Sequence, residues 1–304
     1  LSSGSRERIF GTIGNPAMFA GYLLFMFYFA LILWRSNSEK NKMRRIYLIL
    51  AGLFAFGIIL TGVRGAVLAL VLSLLFIVAW RIFHRRSAVP EMALVFGRLV
   101  SFDFHQTTIT QRLLAWKEAW HGFLSRPIVG WGPENFTLVH SRYFEPAIFR
   151  GSAGSIFDRP HNIIFELLST QGVIGLAAFA VLWSMVASTV HRRFSDAMTR
   201  WLLYALMLSY LIQAFFFFDS MSILLMLAVF WAFVERGTLT DNAPIENQSF
   251  PPLGKSHWRV FAGFAGLVFV IVLITMTSLD SSTNSENRLI EIIRILTLIK
   301  IAII

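Results

Sequence analysis

Apolar runs of about 15 to 25 residues, close to the roughly 20 needed to carry a helix across a hydrocarbon core, recur along this chain and leave it few possible folds. Of its 304 residues, 56% are hydrophobic, 15% aromatic and only 14% charged. A water-soluble domain of that length could not hide so much apolar surface. The expected fold class is all-α: a polytopic transmembrane helical bundle of about seven or eight helices, with one long extracytoplasmic loop that contains an amphipathic helix. The runs place helices at 16–34, 46–62, 66–83, 161–190, 201–218, 221–235 and 259–279. Glu91–Phe104, short and interrupted by Arg98, is the candidate eighth.

Charge sets the topology. The basic loops Arg35–Arg45, Arg81–Arg86, Arg192–Arg200 and Arg236–Arg259 face the cytoplasm by the positive-inside rule. Alternation then requires a crossing between Arg86 and His161, supplied by Glu91–Phe104, and puts 105–160 outside. The resulting domain plan is a transmembrane domain over 1–235 with its outer loop at 105–160, a cytoplasmic linker at 236–258, a final helix at 259–279 and a tail at 280–304 that looks cut short. The chain starts at Leu1 with no initiator Met and no cleavable signal, so earlier membrane helices are expected before it. The net charge of +10 belongs to this topology: the basic residues lack the aromatic-interleaved patch of a nucleic-acid binder, and no nucleic-acid partner is expected. With no cysteine in the chain, disulfides, thiolate metal sites and cysteine nucleophiles are all excluded.

Several polar residues stand where lipid or topology disfavours them. Arg64, in Thr61-Gly62-Val63-Arg64-Gly65, falls in a break between two apolar runs on the outer side. It reads either as a snorkelling side chain on a lipid phosphate or as a clamp for a substrate phosphate, whose oxygens the guanidinium fork matches. Thr110–Leu124 is amphipathic, with Leu113, Trp116 and Trp120 on one stripe. The stripe fits a helix at the lipid surface, and Arg112 at its start is either solvated or a second clamp. Arg126, Arg142, Arg150 and Arg159 make the outer loop basic on the side where topology least predicts it, favouring an anionic ligand.

Asp158-Arg159-Pro160-His161-Asn162 precedes an apolar run that reaches Gln171 and then Gly172-Val173-Ile174-Gly175. Asp158 reads as an N-cap and Pro160 as a first-turn residue, which puts His161 in the opening turn of a membrane helix. The positive end of the helix dipole disfavours a protonated imidazole there. A neutral His at the membrane surface can serve as a general base, though a His at a helix start is more often structural. Gly172 and Gly175 clear one helix face for close approach by another helix or a lipid chain.

His161-Asn162, nine residues, then Gly172-x-x-Gly175 resembles the signature of the O-antigen ligase family of bacterial membrane glycosyltransferases. Gly14-Asn15-Pro16, Thr61-x-x-Arg64-Gly65, Arg112-x-x-x-Trp116 and Pro127-x-x-Gly130-x-Gly132 are similar to further landmarks of that family in the same order. The resemblance covers roughly residues 6–235. It implies a multi-pass enzyme of the bacterial inner membrane that moves a glycan from a polyprenyl diphosphate carrier to an acceptor hydroxyl, lipid A-core or another surface acceptor, at the periplasmic or outer face. It further implies that His161, Arg64 and Arg112 carry the activity. The chain departs from the pattern in its short stretch between Arg86 and Arg112, where a full helix is expected, and in lacking the family's first helices.

Transfer from a lipid diphosphate requires a stabilised leaving group and a deprotonated acceptor. No Asp-x-Asp motif lies on the outer side to hold a divalent ion, and arginines can take that role. The expected scheme is metal-independent, cofactor-free and inverting: Arg64 and Arg112 hold the diphosphate, His161 takes the acceptor proton, and Arg126, Arg159 and Asn162 bind substrate. Glu166, one turn deeper, either hydrogen-bonds within the site or is a paired buried carboxyl. The expected partners are the lipid-linked glycan donor, a lipid or protein acceptor and membrane lipids. Three other readings stand beside this one. A repeat-unit polymerase or a protein O-oligosaccharyltransferase differs only in the acceptor; a transporter or flippase of lipid-linked glycan needs no base, but the inverted repeats frequent in transporters are not visible; a scaffold without chemistry leaves the outer arginines unexplained.

Overall fold

A computed structural model describes residues 13–37, 41–85, 106–146 and 157–237. Within them lie eight helices and no strand: α1 (Pro16–Ser36), α2 (Asn41–Leu60), α3 (Arg64–Arg85), α4 (Gln106–Ser125), α5 (Phe136–Arg142), α6 (Ile163–Arg193), α7 (Ala197–Phe216) and α8 (Met221–Arg236). The all-α expectation holds. Five helices, α1, α2, α3, α6 and α7, are long and apolar enough to cross a membrane. The expected helices at 91–104 and 259–279 lie outside the described residues.

Local chemistry sets the helix ends. Asn15 caps α1 by accepting from the Ala17 N–H at 2.8 Å, with Pro16 pre-set for the first turn. Gly62, at φ 63°, makes the turn that separates α2 from α3. Asp196 accepts from the Thr199 N–H at 2.9 Å and from its hydroxyl at 2.7 Å, so α7 starts at Ala197, before the expected 201. The start of α2 at Asn41 likewise precedes the expected 46, because a helix needs no apolar residues in the turn that leaves the lipid.

The chain divides into two compact units. The first holds α1, α2, α3, residues His161–Ile163, the end of α6 from Met185, α7 and α8. In its core α1 packs on α2, α7 and α8, and α3 packs on α7. Two ion pairs gather helix ends at one pole: Arg35 with Asp196 at 2.7 Å, and Arg193 with Glu235 at 2.9 Å. The other pole joins the start of α1, the start of α3 and the end of α7. There the Gln213 amide donates to the Ala17 carbonyl at 3.3 Å, and a Cβ on Gly65 would stand 3.0 Å from Phe216.

The second unit holds α4, α5, residues 157–160 and the α6 segment Ile164–Ser184. Gly172 breaks α6 with φ 66° and ψ −163°, backbone angles open only to glycine. The break is spliced by the 126–132 loop. Trp131 and Gly132 N–H groups donate to the Ser169 and Thr170 carbonyls at 3.0 and 2.7 Å, and the Val173 and Ile174 N–H groups donate to Pro127 and Ile128 at 2.8 and 3.3 Å. Backbone groups released by a broken membrane helix need such partners.

Candidate active site

His161 lies just ahead of α6, outside its first turn. This corrects the expected helix start: α6 opens at Ile163, Asp158 is exposed, and His161 takes the left-handed conformation at φ 55°. Pro160 is buried, and its carbonyl accepts from the Trp116 indole at 2.8 Å, which holds the chain off the helical path. A non-glycine residue at positive φ is strained and persists only where its surroundings enforce it.

The His161 ring stands edge-on to Phe217 and Phe218, with centroids 5.9 and 5.2 Å away, and those two rings stack on each other at 4.3 Å. Asp219, next in sequence, accepts from the Tyr210 hydroxyl at 2.8 Å and ties that segment to α7. Arg64 is exposed at the first residue of α3, next to Gly65, which lies against Phe216. Arg64 and His161 therefore share one pole of the first unit, around the Phe215–Phe218 run and opposite the pole of the Arg35–Asp196 and Arg193–Glu235 pairs. A cation at a helix N-terminus opposes the dipole, and both the guanidinium and the positive end of the dipole favour an anion.

The other candidates lie in the second unit, apart from Asn162, which follows His161 in the first and is fully buried. Arg112 on α4 is half-buried, and burial lowers the pKa of its guanidinium, as for any cation withdrawn from water. Arg159 is ion-paired with Glu134 and, at 2.8 Å, with Glu166. Burial opposes its charge, but Glu166, Glu134 and Asp158 more than offset that and raise its pKa. Arg159 thus secures the turn before His161 onto α6, and Glu166 is the paired buried carboxyl of the two readings. Arg126 is exposed, its guanidinium 4.3 Å from the centre of the Trp131 ring.

Two motifs take roles that differ from the sequence expectation. Trp116 is not a lipid-surface anchor: it is 6% exposed, stacks on Phe165 at 5.3 Å and bonds Pro160. Close approach at Gly172 is by the backbone of the 126–132 loop and not by a helix or lipid chain, since a Cβ there would stand 2.3 Å from the Ile128 carbonyl oxygen. A Cβ on Gly130 would stand 2.3 Å from the Thr170 backbone, while one on Gly175 would meet the Gln171 side chain at 2.2 Å. Pro127-x-x-Gly130-x-Gly132 and Gly172 are two halves of one interlock. Sequence reasoning missed Phe217 and Phe218 as the support of His161, although four consecutive phenylalanines at 215–218 were a visible signal.

Five helices long and apolar enough to cross a membrane suit a multi-pass membrane protein, and Arg64 and His161 stand at one pole of its first unit. Residues 49–180 match the family model described as O-antigen ligase, which bears out the resemblance read from the motifs. The match supports a membrane enzyme of the O-antigen ligase or polymerase type, with a glycosyltransferase-like ligase activity. Every candidate residue from Arg64 to Gly175 lies inside the matched segment. No curated protein matches the chain.

Proposed function

We propose that this protein transfers a glycan from a polyprenyl diphosphate carrier to an acceptor hydroxyl at the outer face of a bacterial inner membrane. The observation that carries the reading is the shared pole of Arg64 and His161, opposite the pole where α1, α6 and α8 end in Arg35, Arg192, Arg193 and Arg236. Positive charge at helix ends marks the cytoplasmic side, so Arg64 stands on the outer side for a reason other than topology.

In the proposed reaction the acceptor O–H gives its proton to the His161 imidazole while the acceptor oxygen bonds to the anomeric carbon. The bond from that carbon to the diphosphate oxygen breaks, and its electron pair leaves on the diphosphate. Arg64, beside His161 at the same pole, neutralises this charge as it develops. Single attack from the opposite face inverts the anomeric centre. Arg159 and Trp116 fix the turn that presents His161.

Purified protein in lipid nanodiscs, given polyprenyl diphosphate glycan and candidate acceptors, tests the reading by showing which acceptor gains the glycan. Arg64→Ala is expected to lower transfer by about 100-fold, the typical loss when one charge-stabilising donor is removed, and added chelator is expected to change nothing. Full transfer by Arg64→Ala, or its abolition by chelator, contradicts the scheme.

A further inference from the structure

The second unit holds a cavity of about 300 Å³ that the proposed reaction does not use. It lies between α4 and the chain after α5, lined by Lys117, His121, Arg142, Tyr143, Phe144 and Glu145. Its floor is built. Glu118 is 1% exposed and accepts from the Glu145 N–H at 2.8 Å, and it pairs with His140 Nδ1 at 2.6 Å. Burial, ahead of these partners, raises the pKa of the Glu118 carboxyl.

The walls combine flat rings with paired charges. His121 and Tyr143 stack with centroids 5.9 Å apart. The Arg142 guanidinium lies 5.9 Å from the centre of the Tyr143 ring. Lys117 and Glu145 face each other at 3.4 Å, giving donors and acceptors side by side. The Ser125 hydroxyl, outweighing burial and helped by Arg142 and Arg126, holds the Tyr143 phenol below its ordinary pKa, which makes it a better donor.

An acyl chain has no use for so many polar groups, and a free phosphate calls for cations without the matching carboxylate. A saccharide has the chemistry that fits: C–H faces for aromatic rings and hydroxyls that both donate and accept. Ligand sites pair aromatic walls with a few placed polar groups in this way. We propose that this cavity is a saccharide subsite, which holds sugar residues of the glycan away from the bond that reacts. The source of the sugar rests on the glycan-transfer reading, but the cavity's preference for saccharide does not depend on catalysis.

The test uses the full chain in detergent and, as probe, the free oligosaccharide released by mild acid from the cell's polyprenyl diphosphate glycan, with neither lipid nor diphosphate. Binding is read by saturation-transfer NMR and by tryptophan fluorescence. The wild type and His161→Ala are expected to bind alike, while Tyr143→Ala and His121→Ala lose about 10-fold or more in affinity, some 1.4 kcal/mol. His121 is exposed on a helix, so His121→Ala keeps the fold even where Tyr143→Ala does not. No binding by the wild type, or equal binding by His121→Ala, overturns the subsite. So does binding of anionic-lipid vesicles that Lys117→Ala and Arg142→Ala weaken while the oligosaccharide does not bind. Oligosaccharide binding without any transfer activity sinks the proposed reaction and leaves the subsite standing; transfer without binding does the reverse.

Discussion

At the scale of single residues, His161 carries opposing demands. Its backbone at φ 55° is a conformation that glycine adopts freely and that costs other residues about 1 kcal/mol or more. Its ring rests against Phe217 and Phe218. If the imidazole is there for chemistry, His161→Gly should be as stable as His161→Ala or more so, by about 1 kcal/mol in thermal unfolding, and equally inactive. A His161→Gly variant clearly less stable than His161→Ala would show that the conformation is not strained. Trp116 separates positioning from packing. Trp116→Phe keeps a ring against Phe165 but loses the bond to Pro160, worth about 1 kcal/mol. It should lower kcat while leaving donor KM within about threefold; a merely structural role would lower stability and leave kcat of the folded fraction unchanged.

At the scale of elements, the break in α6 is where sequence and structure part most instructively. The apolar spans were legible because lipid demands about 20 apolar residues and the chain supplies them in blocks. The ends of α2, α6 and α7 were less so, because caps such as Asp196 and tertiary bonds such as Trp116 to Pro160 set them. Gly172 was read as a packing glycine because spacing on a helix presumes the helix continues. The interlock with Gly130 joins residues far apart in sequence and leaves no local trace. Gly172→Ala should therefore destabilise by about 3 kcal/mol or more, from the forbidden backbone angles and the contact with Ile128. A Gly172→Ala protein with unchanged melting temperature would contradict the broken helix. The α7 cap makes a pH prediction. Burial tends to raise the Asp196 pKa, but bonds from Thr199 and Arg35 outweigh it and the folded value is lowered. A carboxylate depressed on folding adds stability above its unfolded pKa, near about 4, and loses it as pH falls through the folded value. Asp196→Ala should unfold more easily than wild type at pH 7, by about 1 kcal/mol, and the gap should close as the pH falls below about 4.

At the scale of the whole molecule, orientation joins the fold to the reaction. The expected topology rests on charge at the ends of α1, α3, α6 and α8, and the ion pairs of the first unit gather several of those ends at one pole. Arg64 and His161 stood out because each is a polar residue at a lipid boundary; the support of His161 by Phe217 and Phe218 did not, since a phenylalanine run in a membrane protein reads as lipid-facing. The absence of cysteine makes the orientation easy to measure. A single cysteine at Met221, 82% exposed beside that run, should react with a membrane-impermeant maleimide added to intact spheroplasts. One at Ser36 should react only after permeabilisation. The reverse pattern would turn the site toward the cytoplasm and remove the reason given for Arg64.

The most direct test of the account is the rate of glycan transfer by His161→Ala, measured in nanodiscs against wild type at matched folded protein. Loss of the general base predicts a fall of about 100-fold or more, with free oligosaccharide still bound. Transfer at the wild-type rate would contradict the assignment of His161 and, with it, the claim that this pole of the bundle is where the reaction occurs.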